Sequence, residues 1–253
     1  MTEFHGRVVL VMGAGGAIGR AVALAFARQG AQVAVNDLSP LNLEETVRQV
    51  QAVQGQCLEY GFDIAKKMPL QALVNQVLDD FNRIDILVNA CVVQPVVPLL
   101  EMDEWDWHRA LDVNLAGPFF ATQVVGRVMR VQGGGAIINL ILPPDGLAQH
   151  SGRAALAASQ AGLLGLTRSA AAELTACSIR VNAVLIELLP RLQPSDGNPP
   201  APLSSRPGRV EYLPLEDPTG LEAIAEQVVF LSSQAAQHLT GQVISARVLG
   251  SAQ

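Results

Sequence analysis

Lysine and tyrosine are nearly missing from this chain of 253 residues. Its only lysines are Lys66 and Lys67, and its only tyrosines are Tyr60 and Tyr212. Charge is scarce as well, at 16% of residues, and the net charge is -6. That balance excludes the clustered Lys and Arg demanded by nucleic acid and by anionic membranes, so neither is expected as a partner. The cysteines, Cys57, Cys91 and Cys177, are scattered, odd in number and never spaced as CxxC. Neither a zinc site nor a disulfide framework is suggested. His5, His108 and His238 are isolated, and no metal site is expected around them. No uninterrupted apolar run approaches the roughly 18 residues of a membrane span. No basic segment leads into an apolar run at Met1–His5, so a cytoplasmic protein without a signal peptide is expected.

Hydrophobic residues, at 49%, are plentiful enough for a large core. Their pattern alternates between strands and helices. Strands are expected at 7–12, 32–35, 56–62, 84–89, 136–142, 179–186 and 242–248. Helices are expected at 20–29, 41–54, 70–82, 153–175 and 221–232, with a long one inside 103–131 broken near Gly117-Pro118. Ser39 is a candidate N-cap, with Pro40 at the first helical position. Alternation of this kind predicts an α/β fold, a parallel sheet covered by helices on both faces. No repeat or linker divides the chain, so one domain over 1–253 is expected. The stretch 189–219 carries Pro190, Pro194, Pro199, Pro200, Pro202, Pro207, Pro214 and Pro218. It reads equally as a lid or as a mobile surface excursion.

Between the first strand and the first helix runs Met12-Gly13-Ala14-Gly15-Gly16-Ala17-Ile18-Gly19. Glycines there allow a tight turn and close approach to a pyrophosphate, whose charge would face the helix N-terminus. Asp37 ends the second strand, where a carboxylate accepts both ribose hydroxyls and repels a 2′-phosphate. That favours NAD over NADP. Asp37 also reads as a turn residue ahead of the Ser39 cap.

Further marks follow in order: Asp63, Asp85-Ile86-Leu87-Val88-Asn89, Asn114-Leu115, Gly135-Ala136-Ile137-Ile138-Asn139, Gly165-Leu166-Thr167-Arg168, Glu173-Leu174, Ile179-Arg180-Val181-Asn182-Ala183-Val184 and Thr240-Gly241-Gln242. Over nearly its whole length the chain resembles the short-chain dehydrogenase/reductase family. The resemblance implies a Rossmann-type, doubly wound sheet of seven parallel strands. It implies cofactor contacts from Gly13, Gly15, Ile18, Gly19 and Asp37, with Asp63 and Ile64 beside the adenine and Asn89 near the cofactor ribose.

The departures from the family are concentrated in its reactive half. Its Tyr-x-Ala-Ser-Lys stands here as Leu156-Ala157-Ala158-Ser159-Gln160. Its catalytic serine falls at Leu142 or Pro143. Its Asn-Asn-Ala-Gly is Asn89-Ala90-Cys91-Val92, its Pro-Gly after strand six is Ile186-Glu187, and its terminal Asp-Gly-Gly is Arg247-Val248-Leu249. Of the catalytic tetrad Asn114 alone is kept, with a structural role in the kink of its helix. Leucine exchanges no proton and glutamine carries no charge. A positioned proton donor is worth roughly 10²–10⁴ in rate, so the chain alone is expected to be inactive. Replacement acid–base groups are available in principle at Asp145, His150 and Tyr212.

The adenosine half keeps Gly13, Gly19, Asp37 and Asp63, while the nicotinamide half is lost, so binding of NAD is expected to be weak or absent. The helix 153–175 is apolar nearly all round and must be buried on most sides. In the family this helix and the one carrying Asn114 build a four-helix subunit interface. Heteromeric members pair an intact subunit with a degenerate one, as in the hydroxyacyl-CoA dehydrogenase of the benzylsuccinate pathway, and the losses here are similar. The expected role is a non-catalytic partner of an active NAD-dependent dehydrogenase in a heterotetramer. The alternatives are an oxidoreductase with an atypical site and a homo-oligomeric ligand sensor.

Overall fold

Seven short runs of β-branched and aliphatic residues pair into one parallel sheet. They are β1 (Val8–Met12), β2 (Gln32–Asn36), β3 (Gln56–Tyr60), β4 (Ile86–Asn89), β5 (Gly135–Ile141), β6 (Ile179–Leu189) and β7 (Val243–Leu249). Their order is β3-β2-β1-β4-β5-β6-β7, with every neighbouring pair parallel. The computed structural model describes residues 3–143, 151–189 and 218–249. Seven helices return the chain between strands: α1 (Ala17–Arg28), α2 (Pro40–Ala52), α3 (Lys67–Phe81), α4 (Glu104–Leu111), α5 (Gly117–Gln132), α6 (Ala154–Leu174) and α7 (Pro218–Ser232). All five residues of β1 are buried, as a central parallel strand with helices on both sides requires.

The helices divide between the two faces. On one, Val22 and Phe26 of α1, Leu43 of α2 and Ile224 and Val228 of α7 pack on Val9, Val11 and Val88. On the other, Leu70 and Leu73 of α3, Val125 and Met129 of α5 and Ala170 of α6 pack on Leu10, Leu87 and Ile137. The strand order reverses between β1 and β4, whose last paired residues are Met12 and Asn89. Ligands of open parallel sheets bind at such a reversal, off the carboxyl ends of the strands.

Two elements differ from the sequence-based expectation. The long helix does not break at Gly117-Pro118. It widens one turn earlier, over Asp112–Ala116, where the Gly117 amide donates to the Asp112 carbonyl five residues back. Pro118 then falls in the first turn of α5, where its missing N–H costs nothing. Strand six runs past Ile186 to Leu189 and stays paired with β7 as far as Leu249. A proline would end donation to such a ladder, and Ile186 supplies the N–H that lets it continue.

At the opposite, amino-terminal edge of the sheet, Asp85 is the central charge. Its carboxylate accepts from the Val8 amide (2.9 Å), Arg7 (2.7 Å) and Arg83 (2.6 and 2.7 Å). Burial alone would raise its pKa, yet the bonds from Arg83, Val8 and Arg7 outweigh that and hold it below the ordinary value. A carboxyl lowered in the folded state stabilises above its unfolded pKa, about 3.9, and loses that contribution as pH falls through the folded value. Replacing Asp85 with Asn is therefore expected to cost roughly 1–3 kcal/mol at pH 7 and to leave a smaller penalty near pH 3. Urea titrations at the two pH values check this, and an equal penalty at both would contradict it.

Candidate functional site

The glycine turn lies at the reversal point. Gly13 has φ +79°, and a Cβ there would come within 2.9 Å of the Ala90 and Cys91 backbone, so the β1 and β4 crossovers can meet only through glycine. The turn is fixed to its neighbours. Arg20 donates to the Gly15 carbonyl (3.0 Å) and to Thr46 Oγ1 (3.0 Å), and Thr46 Oγ1 donates to the Ala14 carbonyl (2.8 Å). No motif flags Arg20 or Thr46, because their role depends on how α1 meets α2. Gly16 opens α1 with no side-chain cap, leaving the helix end facing the site without a side-chain acceptor. That is an anion-binding arrangement.

Asp37, partly buried at the end of β2, has the contacts of a turn residue. One carboxylate oxygen accepts the Ser39 amide (3.0 Å) ahead of the Ser39 cap on α2. The other accepts the Gly15 amide (3.1 Å), which sets the carboxylate against the glycine turn. A Cβ on Gly15 would collide with it, at 2.8 Å from the carboxyl carbon. The turn after β3 is ordered by Asn36, which exchanges two hydrogen bonds with the Phe62 backbone (3.0 and 3.2 Å). Asp63 then accepts from the Ala65 amide (3.0 Å) and Ile64 is buried. Gly13, Gly15, Ile18, Gly19, Asp37, Asp63 and Ile64 therefore gather at the carboxyl ends of β1, β2 and β3. They fit the adenosine and pyrophosphate of a dinucleotide. Tyr60 is not available there, because its hydroxyl donates to Asp80 (2.7 Å), and burial, with that carboxylate beside it, pushes its pKa well up.

The reactive half does not fit. Leu156 has no exposed surface at all, Gln160 is 1% exposed and Leu142 4%. Leu142 and Leu156 belong to one apolar cluster with Leu140, Val184 and Ile186, fringed by Ala90 and Val92. Gln160 Oε1 accepts the Leu142 amide at 2.7 Å. The side chain at the lysine position thus ties α6 to the backbone at the serine position. Asn114, inside the widened turn, exchanges two 2.8 Å bonds with the Val93 backbone and donates to Ser159 Oγ (3.1 Å). The Ser159 hydroxyl in turn donates to the Leu156 carbonyl (2.9 Å). Asn114 thus fastens the widened turn to the segment after β4, and Ser159 is taken up by Asn114 and by its own helix. Ser159 was visible within the altered stretch, but its link to Asn114 depends on tertiary contact. Asn89 donates to Asn139 (2.7 Å), which donates to Thr167 (2.8 Å), while Asn89 Oδ1 is buried without a partner. Asp145, His150, Tyr212 and most of the proline-rich stretch lie outside the described residues.

Outside this centre, α5 and α6 frame a groove of about 270 Å³, lined among others by Phe119, Thr122, Gln123, Gly126, Ser169 and Leu174. Thr122 Oγ1 and Gln123 Oε1 are buried there and unpartnered. Phe119 is 43% exposed beside them. Among the described residues no helix is long and apolar enough to cross a membrane, and no three His, Cys, Asp or Glu side chains cluster as metal ligands. The burial of Leu156 generates a direct test. Truncation to Ala should lower stability by roughly 2–5 kcal/mol, the cost of a cavity in a packed core. Chemical denaturation measures it, and a loss under about 1 kcal/mol would mean the side chain lines an open pocket instead.

Residues 13–246 match the family model described as enoyl-(acyl carrier protein) reductase. The chain is 34% identical over 242 residues to a 3-oxoacyl-[acyl-carrier-protein] reductase FabG of Thermotoga maritima, covering 96% of each. It is 32% identical over 242 residues to the (2S)-[(R)-hydroxy(phenyl)methyl]succinyl-CoA dehydrogenase subunit BbsD of Thauera aromatica, covering 94% of each. Among solved structures, a putative short-chain alcohol dehydrogenase from Sinorhizobium meliloti superposes with a TM-score of 0.82 at 28% identity, covering 97% of this chain and 96% of that one. An NAD+-bound xylitol dehydrogenase superposes with a TM-score of 0.80 at 27% identity, covering 96% and 98%. Sheet order, glycine turn, Asn114 kink and these likenesses agree: the chain belongs to the short-chain dehydrogenase/reductase family.

Proposed function

We propose that this chain is a non-catalytic subunit that assembles with a catalytically intact short-chain dehydrogenase, the complex acting as an NAD-dependent alcohol dehydrogenase. The observation that carries this reading is the filling of the catalytic positions. Leu142, Leu156 and Gln160 are core residues here, bonded and packed to each other. Hydride transfer belongs to the cofactor, but the substrate oxygen still needs a proton donor and a polarising contact. Among the described residues no side chain at that spot supplies either.

The α5–α6 face supports a partner. Ala158, Ala161, Gly165 and Ala172 of α6 are exposed, and small residues let a second pair of helices approach closely. The relative from Thauera aromatica is itself named as one subunit of a dehydrogenase. A second reading, an oxidoreductase with a substituted proton donor, draws on the relatives named as reductases.

Steady-state assays separate the two. The isolated chain, offered NAD+ or NADH with secondary alcohols or 3-oxoacyl thioesters, should turn over at least about 10²–10⁴ times more slowly than an intact family member. Affinity purification should bring down a second family chain carrying the full Ser, Tyr and Lys set. Ser169→Trp, an exposed change in the α5–α6 groove, should abolish that association without unfolding the chain. Ordinary turnover by the isolated chain, or association unaffected by Ser169→Trp, would contradict the proposal.

A further inference from the structure

The two halves of the ancestral cofactor site disagree, and the disagreement has a chemical reading. The adenosine end is assembled. Asp37 spends one lone pair of each carboxylate oxygen on the Gly15 and Ser39 amides, and each oxygen keeps another for a hydroxyl of a ribose diol. The uncapped start of α1, a helix of twelve residues, offers backbone amides and a positive dipole end to a diphosphate. The turn at Asp63-Ile64-Ala65 is held by Asn36 and by the Asp63 side chain.

Beyond the diphosphate the described residues are packed and paired. Leu142 and Leu156 occupy one apolar cluster with Ile186. The Leu142 amide is consumed by Gln160. The backbone at Ile186 is drawn into the ladder with Ala246, because β6 continues to Leu189. Among the described residues a carboxamide-bearing ring would find hydrocarbon and a Leu142 amide already satisfied.

We propose that this site takes an adenosine 5′-diphosphate moiety and excludes the nicotinamide, so that the chain reads adenine nucleotides instead of using a redox cofactor. The moiety is supplied by free ADP or by a larger molecule that ends in it, such as ADP-ribose. This inference rests on reading the chain as non-catalytic, and it adds a ligand class to that reading. A carboxylate at the ribose edge repels a 2′-phosphate, so adenosine 2′,5′-bisphosphate is excluded with NADP.

The test is isothermal titration of the purified full chain with ADP, ADP-ribose, NAD+ and adenosine 2′,5′-bisphosphate, followed by saturation-transfer NMR. ADP should bind, NAD+ should bind no more tightly than ADP, and the bisphosphate at least about tenfold more weakly. In the NAD+ sample, saturation should reach the adenine protons and miss the nicotinamide protons. Asp37→Asn, which keeps one of the two backbone acceptors and turns the other into a donor, should weaken ADP by at least about tenfold, the size of one lost charged hydrogen bond. Equal or tighter ADP-ribose binding would mark the longer ligand as the occupant. NAD+ binding tenfold tighter than ADP with saturation of the nicotinamide ring, or no binding of ADP at millimolar concentration, would overturn the inference. These outcomes are separate from turnover and from subunit pairing, so the inference can fail while the non-catalytic reading stands.

Discussion

The hydrogen bond from the Leu142 amide to Gln160, with Leu156 packed one turn away on the same helix, sets the character of the whole molecule. In a dehydrogenase of this fold the corresponding three side chains must stay polar, accessible and mobile enough to move a proton. Here they are sealed together. Burying a leucine side chain contributes about 1.5–3 kcal/mol, and a satisfied buried amide avoids a penalty of similar size. Leu142, Leu156 and Gln160 are thus held as ordinary core. Reverting any one of them alone would place a polar group among hydrocarbon, so the three are coupled.

That coupling explains why the rest of the site divides so cleanly. The glycine turn, Asp37 and the Asp63 turn are shaped by backbone contacts that the fold needs in any case. Gly13 must pass the β4 crossover, and Arg20 and Thr46 lock α1 to α2. Asn114 survives for a similar reason, because it fastens the widened turn to Val93 and Ser159 whether or not a proton relay runs past it. The departures from the family lie instead at Val92, Leu142, Leu156, Gln160, Ile186 and Glu187, around the carboxyl ends of β4, β5 and β6.

Much of this was legible in the sequence. Alternating apolar runs located every strand within a few residues, and the glycine turn was legible between the first strand and the first helix. Leu156 and Gln160 stood out as departures from the family's tyrosine and lysine. Other features depend on how distant elements meet. The helix widens at Asp112–Ala116 instead of breaking at Gly117-Pro118, because Pro118 is harmless in a first turn while Asn114 must turn inward. Strand six outruns Ile186 because β7 lies alongside as a partner, which no local propensity reveals. Gln160 reads in sequence as a missing charge, and only the packed structure shows it as a bond to the residue at the serine position.

The most direct measurement of the central claim is native-state hydrogen exchange at the Leu142 amide. If that amide is held by buried Gln160 beneath Leu156, it should exchange only through global unfolding, with a protection free energy equal to that of the slowest core amides of β4 and β5. Exchange within seconds at neutral pH, as at the rim of an open cleft, would show that the former catalytic centre remains a pocket and would contradict the account.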